Sequence, residues 1–308
     1  MGNDPPIGQP TAIALLKAAI AKNRVAPAYL FAGPDGIGRS IAARYFVRLL
    51  LAGDRDRHDL NNHPDFLWVE PSYSYNGKIY SPKEAEEAGL KRKFAPQIRL
   101  EQIRNITRFL SRPPLEAPCS AIVLEGAETM GESAANGLLK TLEEPGRATL
   151  ILLAPSVESL LPTLVSRCQR IPFYRLCSED MERVLRQTGY EEILHDRTIL
   201  SAAQGSPGAA IAAWKQLENI PPELLSKVTQ LPRSISEAMM LAREISSTLD
   251  IPDQLWLLDY LQQIYWQQFL QGSIRVSPLQ SLENARHYLR SYVQPRLVWE
   301  VMLMEAVL

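Results

Sequence analysis

Cysteine is scarce in this 308-residue chain: the three that occur, Cys119, Cys168 and Cys177, form no C-x-x-C pair. That excludes a cysteine zinc site and a disulfide framework as organising features, and it fits a reducing cytoplasm. Net charge is also lacking. Thirty-three Lys and Arg stand against 34 Asp and Glu, which leaves −1. The whole chain therefore has no field that would draw it onto nucleic acid, and any DNA contact must come from a local patch. Long apolar runs are missing too. Every apolar stretch meets a charge well before the ~18 residues a membrane span needs. The first ten residues, MGNDPPIGQP, show no basic segment followed by an apolar one, so no signal peptide is expected. Internal repeats and low-complexity tracts are absent from the pattern. What is present is ordinary globular stock, 46% hydrophobic and 22% charged, at a length natural for two or three domains.

The first half of the chain alternates. Residues 10–22 have helical periodicity, and Ala28-Tyr-Leu-Phe-Ala32 is a short apolar run leading into a glycine loop. Ser40 to Leu51 reads as a helix, Asp65 to Val69 as a strand, and 100–111 as an amphipathic helix. Ser120 to Glu125 and Thr149 to Ala154 are continuous apolar runs, the mark of strands covered on both faces. Ser133 to Glu144 is a helix stopped by Pro145-Gly146; 156–165 holds a short helix and Gln169 to Phe173 a last strand. Residues 72–98 read as an excursion from the core, partly helical. Strands alternating with helices predict a parallel α/β sheet. After about residue 176 the strands stop. Ser178 to Gln187 and Glu191 to Ala203 read as helices, and nearly everything from Glu223 onward is helical, with Pro221-Pro222 as a natural boundary. The expected division is an α/β domain over 1–176, a small helical domain over 177–220 and a helical domain over 221–308.

Residues 33–40, Gly-Pro-Asp-Gly-Ile-Gly-Arg-Ser, follow the phosphate-loop pattern G-x-x-x-x-G-K-[ST] with one change. Gly33, Gly36 and Gly38 suit a loop whose backbone N–H groups, with the following helix N-terminus, cradle an anion. Arg39 stands where lysine would reach the β- and γ-phosphates, and a planar guanidinium is not a neutral replacement there. Ser40 keeps its hydroxyl. A second element is the strand ending in Glu125-Gly126. An ATPase of this kind carries two acids there, one holding Mg²⁺ through water and one orienting the attacking water. Glu125 fills the first place, and glycine at 126 cannot polarise water. Glu128, two residues on, reads as a solvated acid at a helix start. Two altered positions argue against hydrolysis. The third element is Ser166-Arg167-Cys168, between a short helix and the last strand. From there Arg167 can reach a neighbour's nucleotide as an arginine finger, or it can be an ordinary solvated charge, with Arg170 close enough to compete for the role.

Taken in order, the loop, the degenerate acidic strand, Asn136-Gly-Leu-Leu-Lys-Thr-Leu-Glu-Glu-Pro145 and Leu164-Val-Ser-Arg-Cys168 resemble one family, the delta-prime subunits of the bacterial DNA polymerase III clamp loader, within the AAA+ proteins. The likeness covers roughly residues 7–210 and includes Ile7-Gly8-Gln9, similar to the family's adenine-side turn, and His63-Pro64-Asp65. It implies an AAA+ P-loop α/β domain, a three-helix lid, and a C-terminal helical collar in a five-subunit ring. It also implies a subunit with no ATPase of its own, working inside the polymerase holoenzyme while partners hydrolyse ATP. Implied partners are gamma/tau-type ATPase subunits, a delta subunit, the sliding clamp and primer-template DNA, with no membrane. Arg167 would be the finger in trans. Gly208, in Gly205-Ser-Pro-Gly208, stands where active relatives carry a nucleotide-sensing arginine.

The chain departs from the family's pattern in lacking its four-cysteine zinc module, since Leu51 to Asn62 holds no cysteine. Zinc is therefore not expected, and His58 and His63 read as solvated loop residues. ATP in the chain's own site is left open. Arg104, Arg108 and Arg112 lie four apart, a stripe on one helix face, near Lys91, Arg92, Lys93 and Arg99. The stripe could meet DNA phosphates or simply be solvated. Trp256, Tyr260, Tyr265, Trp266 and Phe269 read as core and interface anchors. Two further functions stay in view: a working P-loop ATPase such as a helicase loader, and a structural adaptor with neither nucleotide nor finger.

Overall fold

A computed structural model describes residues 4–51, 60–75, 78–89, 95–272, 279–291 and 293–305. The chain divides into two compact units between Val184 and Leu185.

The first unit is built on strands β1 (Ala28–Ala32), β2 (Phe66–Val69), β5 (Ser120–Leu124), β6 (Ala148–Ala154) and β7 (Gln169–Pro172), in the order β2-β5-β6-β1-β7 with every pair parallel. Strands β1, β5 and β6 are almost wholly apolar because both of their faces are covered, while the edge strand β7 keeps Gln169 and Arg170 exposed. Period-two alternation sends Tyr29, Phe31, Val123, Ile151 and Leu153 to one face, where helices α1 (Pro10–Ala21) and α2 (Arg39–Leu51) close the core. It sends Leu30, Ile122, Leu124, Leu150 and Leu152 to the other, under α4 (Leu100–Leu110), α5 (Glu132–Glu143) and the single turn α6 (Pro162–Val165).

Among its described residues the excursion at 72–98 holds one helix, α3 (Pro82–Glu87), set by a capping box between Ser81 and Glu84. It also holds an antiparallel pair that the sequence reading does not contain, β3 (Tyr73–Tyr75) with β4 (Lys78–Tyr80). Paired backbone hydrogen bonds between Ser72 and Gln97 close its base at 3.0 and 3.1 Å. Lys91, Arg92, Lys93 and His58 lie outside the described residues.

Two helix boundaries differ from expectation. Helix α4 ends at Leu110, so Arg112 is off the helix and the three-arginine stripe shrinks to Arg104 and Arg108. Pro113-Pro114 explains it, because the residue before a proline is pushed out of helical backbone. The helix expected over 191–203 is broken into a 3₁₀ turn, Glu191–His195, and α8 (Arg197–Ala203). The Asp196 carboxylate accepts from the N–H groups of Thr198 and Ile199 at 2.9 and 3.0 Å, which starts a new helix there.

Helix α7 (Ser178–Gln187) crosses the division. Beyond it the second unit continues through α8, α9 (Pro207–Glu218), α10 (Pro222–Val228), α11 (Ile235–Thr248), α12 (Ile251–Leu270), α13 (Leu279–Arg290) and α14 (Pro295–Glu305). The last five helices share a core centred on Leu257, Leu261, Tyr265, Leu282 and Trp299. Its buried polar atoms are paired: Trp299 Nε1 donates to Gln254 Oε1 at 2.9 Å, and the Tyr265 hydroxyl donates to the Val228 carbonyl. Tyr265 is a core residue, Trp256 stacks on Tyr260, and Trp266 is 40% exposed.

Candidate functional site

The glycine loop sits where the sequence places it, between the end of β1 and the first turn of α2. Gly33 has a packing reason: a Cβ there would lie 2.5 Å from the Phe173 carbonyl oxygen, so the loop can pass under β7 only without a side chain. The loop is bolted from the N-terminal side by Gln9, which is 2% exposed. Its Nε2 donates to the carbonyls of Ile37 (3.2 Å) and Tyr174 (2.7 Å), and its Oε1 accepts from the Tyr174 N–H at 3.1 Å. One buried amide thus joins the loop to the segment after β7.

The polar groups of the loop are committed inside the chain. Arg39 is the first residue of α2 and folds back to ion-pair through Nη2 with Asp35, while its Nη1 is buried without a partner. The Ser40 hydroxyl donates to Glu125 Oε1 at 2.7 Å, and Trp68 Nε1 donates to Glu125 Oε2 at 3.0 Å. Both oxygens of the retained acid are therefore engaged. Arg44 covers the other side of Trp68, its guanidinium 4.2 Å from the ring centroid. Burial, then the charges of Glu125 and Glu84, push the Glu70 pKa up.

Position 126 is closed to a carboxylate by the backbone. Gly126 lies in left-handed conformation with φ of 63°, and a Cβ would sit 2.7 Å from Pro71 Cγ. Glu128 is not the solvated acid its sequence position suggests. It lies in a 3₁₀ turn, Ala127–Thr129, half-buried, with Oε2 buried and unpaired. Burial pushes its pKa up, and the charges of Asp35 and Glu125 add to that against the opposing pull of its own backbone N–H and Arg39. No local sequence signal marks it, because Asp35 and Arg39, two of the charges that act on it, come from a distant segment.

Arg167 lies far along the chain from the loop, in the turn between α6 and β7, and is exposed. Its Nη1 donates to the Thr163 carbonyl at 3.0 Å and its Nη2 to Glu143 Oε1 on α5 at 2.9 Å. Arg170, in β7, is also exposed. Between them Cys168 is half-buried, and burial pushes its thiol up to about 11, so it is no nucleophile at neutral pH. Gly208 is in the first turn of α9, in the second unit. Arg104 and Arg108 are exposed on α4, whereas Arg112 joins Arg147 at a cleft of about 200 Å³. His63 is half-buried and structural: its Nδ1 accepts from the Asp65 N–H at 3.1 Å. Asp65 itself is 2% exposed and accepts from the N–H groups of Leu115, Glu116 and Ala117 at 2.7, 2.8 and 2.8 Å. Among the described residues, no group of three or more His, Cys, Asp or Glu could hold a metal, and no helix is long and apolar enough to cross a membrane.

Comparison with known proteins agrees with this geometry. Residues 8–176 match the family described as DNA polymerase III, delta subunit, and residues 179–306 match the cyanobacterial DNA polymerase III delta prime C-terminal domain. The chain is 32% identical over 192 residues to DNA polymerase III subunit delta′ of Bacillus subtilis, covering 58% of this chain and 52% of that one. It is 33% identical over 156 residues to the Pseudomonas aeruginosa delta′, covering 46% and 42%. The matches thus span about half the length of the curated relatives. A crystal structure of a DNA polymerase III gamma subunit-related protein from Thermotoga maritima aligns over 96% of this chain and 98% of that one, with TM-score 0.53 and 18% identity, which shows the fold alone. The glycine loop on a parallel sheet, the helical second unit and two adjoining family matches lead to one statement: the chain belongs to the DNA polymerase III delta-prime family of clamp-loader proteins, with an AAA+-type P-loop fold.

Proposed function

We propose that this chain is a non-hydrolysing subunit of a five-membered clamp-loading ring in the cytoplasm, and that it presents Arg167 to the ATP of a neighbouring gamma/tau-type subunit. In that role it helps place the sliding clamp on primer-template DNA, beside a delta subunit. The observation that carries the reading is the backbone at Gly126. The place of the water-orienting acid has φ of 63° and no room for a Cβ beside Pro71. The rest of the site agrees. Its guanidinium is tied to Asp35, and its magnesium-side acid is bonded to Ser40 and Trp68. A triphosphate would have to displace those contacts.

The helical part is read as a lid over 177–220 followed by a collar over 221–308. Exposed apolar side chains on its surface suit subunit contacts, among them Ile235, Met239 and Met240 on α11 and Leu297 and Val301 on α14. Arg104 and Arg108 are assigned to DNA phosphates inside the ring. The test is Arg167→Ala in a ring reconstituted with gamma/tau-type ATPase subunits and delta. Folding and assembly should persist while DNA-stimulated ATP turnover falls by about 10³-fold at the site that Arg167 serves. Unchanged turnover and clamp loading would sink the finger role and leave a structural adaptor.

A second reading, a working P-loop ATPase, is favoured by one observation, the buried unpaired oxygen of Glu128 in the electrostatic reach of Arg39. Isothermal titration and turnover of the isolated chain with ATP–Mg²⁺ separate the two. Tight binding with turnover selects the second.

A further inference from the structure

The Arg167 guanidinium is ordered within its own chain. Nη1 is held by the carbonyl of Thr163, in α6, and Nη2 by the carboxylate of Glu143, the last residue of α5. The two anchors come from different elements, 20 residues apart in sequence. An exposed arginine otherwise samples many rotamers, and ordering it in the act of reaching a ligand is costly. A guanidinium has five N–H donors, so holding two of them leaves three for phosphate oxygens.

We propose that Glu143 is the positioning residue of the finger: it fixes the Arg167 fork in space before the neighbour's γ-phosphate arrives. This rests on the reading of Arg167 as a finger in trans. Two effects compete. The carboxylate repels a triphosphate, and it also pre-orders the group that must meet the triphosphate. Glu143 is 54% exposed, so its charge is screened and the repulsion is weak. The geometric restraint does not depend on that charge, because it needs only an acceptor oxygen at the end of α5. Pre-ordering therefore prevails, and glutamine should serve nearly as well as glutamate.

The experiment measures DNA-stimulated ATP turnover of the reconstituted ring carrying Glu143→Ala, Glu143→Gln, Glu144→Ala or Arg167→Ala. Glu143→Ala should lower kcat roughly three- to tenfold at the served site, with KM for ATP held within about twofold. Glu143→Gln should recover most of the loss, and Glu144→Ala should behave as the parent. In the Arg167→Ala background, Glu143→Ala should add nothing. Turnover that is unchanged or raised in Glu143→Ala, or as low in Glu143→Gln as in Glu143→Ala, overturns the positioning role. A slow Arg167→Ala ring beside a normal Glu143→Ala ring defeats this inference alone. A normal Arg167→Ala ring defeats the finger reading itself.

Discussion

Replacing Asp65 by asparagine changes one atom and should cost the first unit much of its stability. The carboxylate is buried and receives three backbone N–H groups, Leu115 on Oδ1 and Glu116 and Ala117 on Oδ2. These donors are fixed by the loop that leads into β5, and the Asp65 carbonyl also receives the Ala121 N–H at 2.8 Å. Asparagine offers one acceptor oxygen. If that oxygen takes the pair from Glu116 and Ala117, its NH₂ faces the Leu115 N–H, and a buried donor is orphaned against another donor. A hydrogen bond to a charged acceptor contributes about 1.5–3 kcal/mol, and a buried unpaired donor costs about 1–3 kcal/mol. The expected loss is therefore about 2.5–6 kcal/mol by the same figures. For a unit of this size that is a fall in Tm of roughly 5–24 °C. Calorimetry of the full chain, with urea unfolding as a second probe, measures it.

The pH dependence carries a sign. Burial raises the Asp65 pKa, but the three N–H donors and His63 outweigh it, so the folded value lies below the ordinary one. Its contribution is present above the unfolded value of about 3.9 and is lost as pH falls through the folded value. The gap between parent and Asp65→Asn should accordingly be full at neutral pH and close in acid. A loss below about 1 kcal/mol at pH 7, or a gap that widens in acid, would refute the reasoning.

Three further outcomes are expected. Gly126→Glu should not create ATP turnover, and it should lower stability by about 1–3 kcal/mol because the new Cβ meets Pro71 in left-handed backbone; a gain in turnover by phosphate release would contradict this. Trp299→Phe leaves Gln254 Oε1 buried without its donor and should cost about 1–3 kcal/mol in urea unfolding, whereas a neutral result would show that Gln254 finds another partner. The double change Arg104→Ser with Arg108→Ser should reduce the log–log salt slope of primer-template binding by the ring by about two. An unchanged slope assigns both arginines to a solvated face.

The parallel sheet, the glycine loop and the helical C-terminal region are legible in the sequence because each is carried by local pattern. Apolar runs of five to seven residues such as Ser120–Leu124 and Ala148–Ala154, broken by glycine and proline, suffice to read a doubly covered sheet. The end of α4 was equally local, since Pro113-Pro114 excludes Arg112 from the helix. The β3–β4 pair follows a hairpin signal in Asn76-Gly77, which the charged stretch behind it obscures. Burial of single polar groups is a different matter. Glu128 feels the charges of Asp35 and Arg39 from a distant segment, and Gln9 finds its partners at Ile37 and Tyr174. Such contacts depend on segments brought together only by the whole fold, so no window of sequence displays them. The Arg167–Glu143 contact belongs to the same class.

The strand order has a consequence for synthesis. Strand β1 leaves the ribosome before the other four strands of its sheet, yet its two neighbours are β6 and β7, and Ala28 pairs with Leu150 some 120 residues later. At 5–20 residues per second the gap is about 6–24 s. Through that interval Tyr29, Leu30 and Phe31 have no edge to join, and the emerging chain carries an apolar strand open to pairing with other nascent chains. The interior place of β1 steadies the finished sheet and also makes this strand wait for its partners, so this is the stage at which a chaperone would have most to shield.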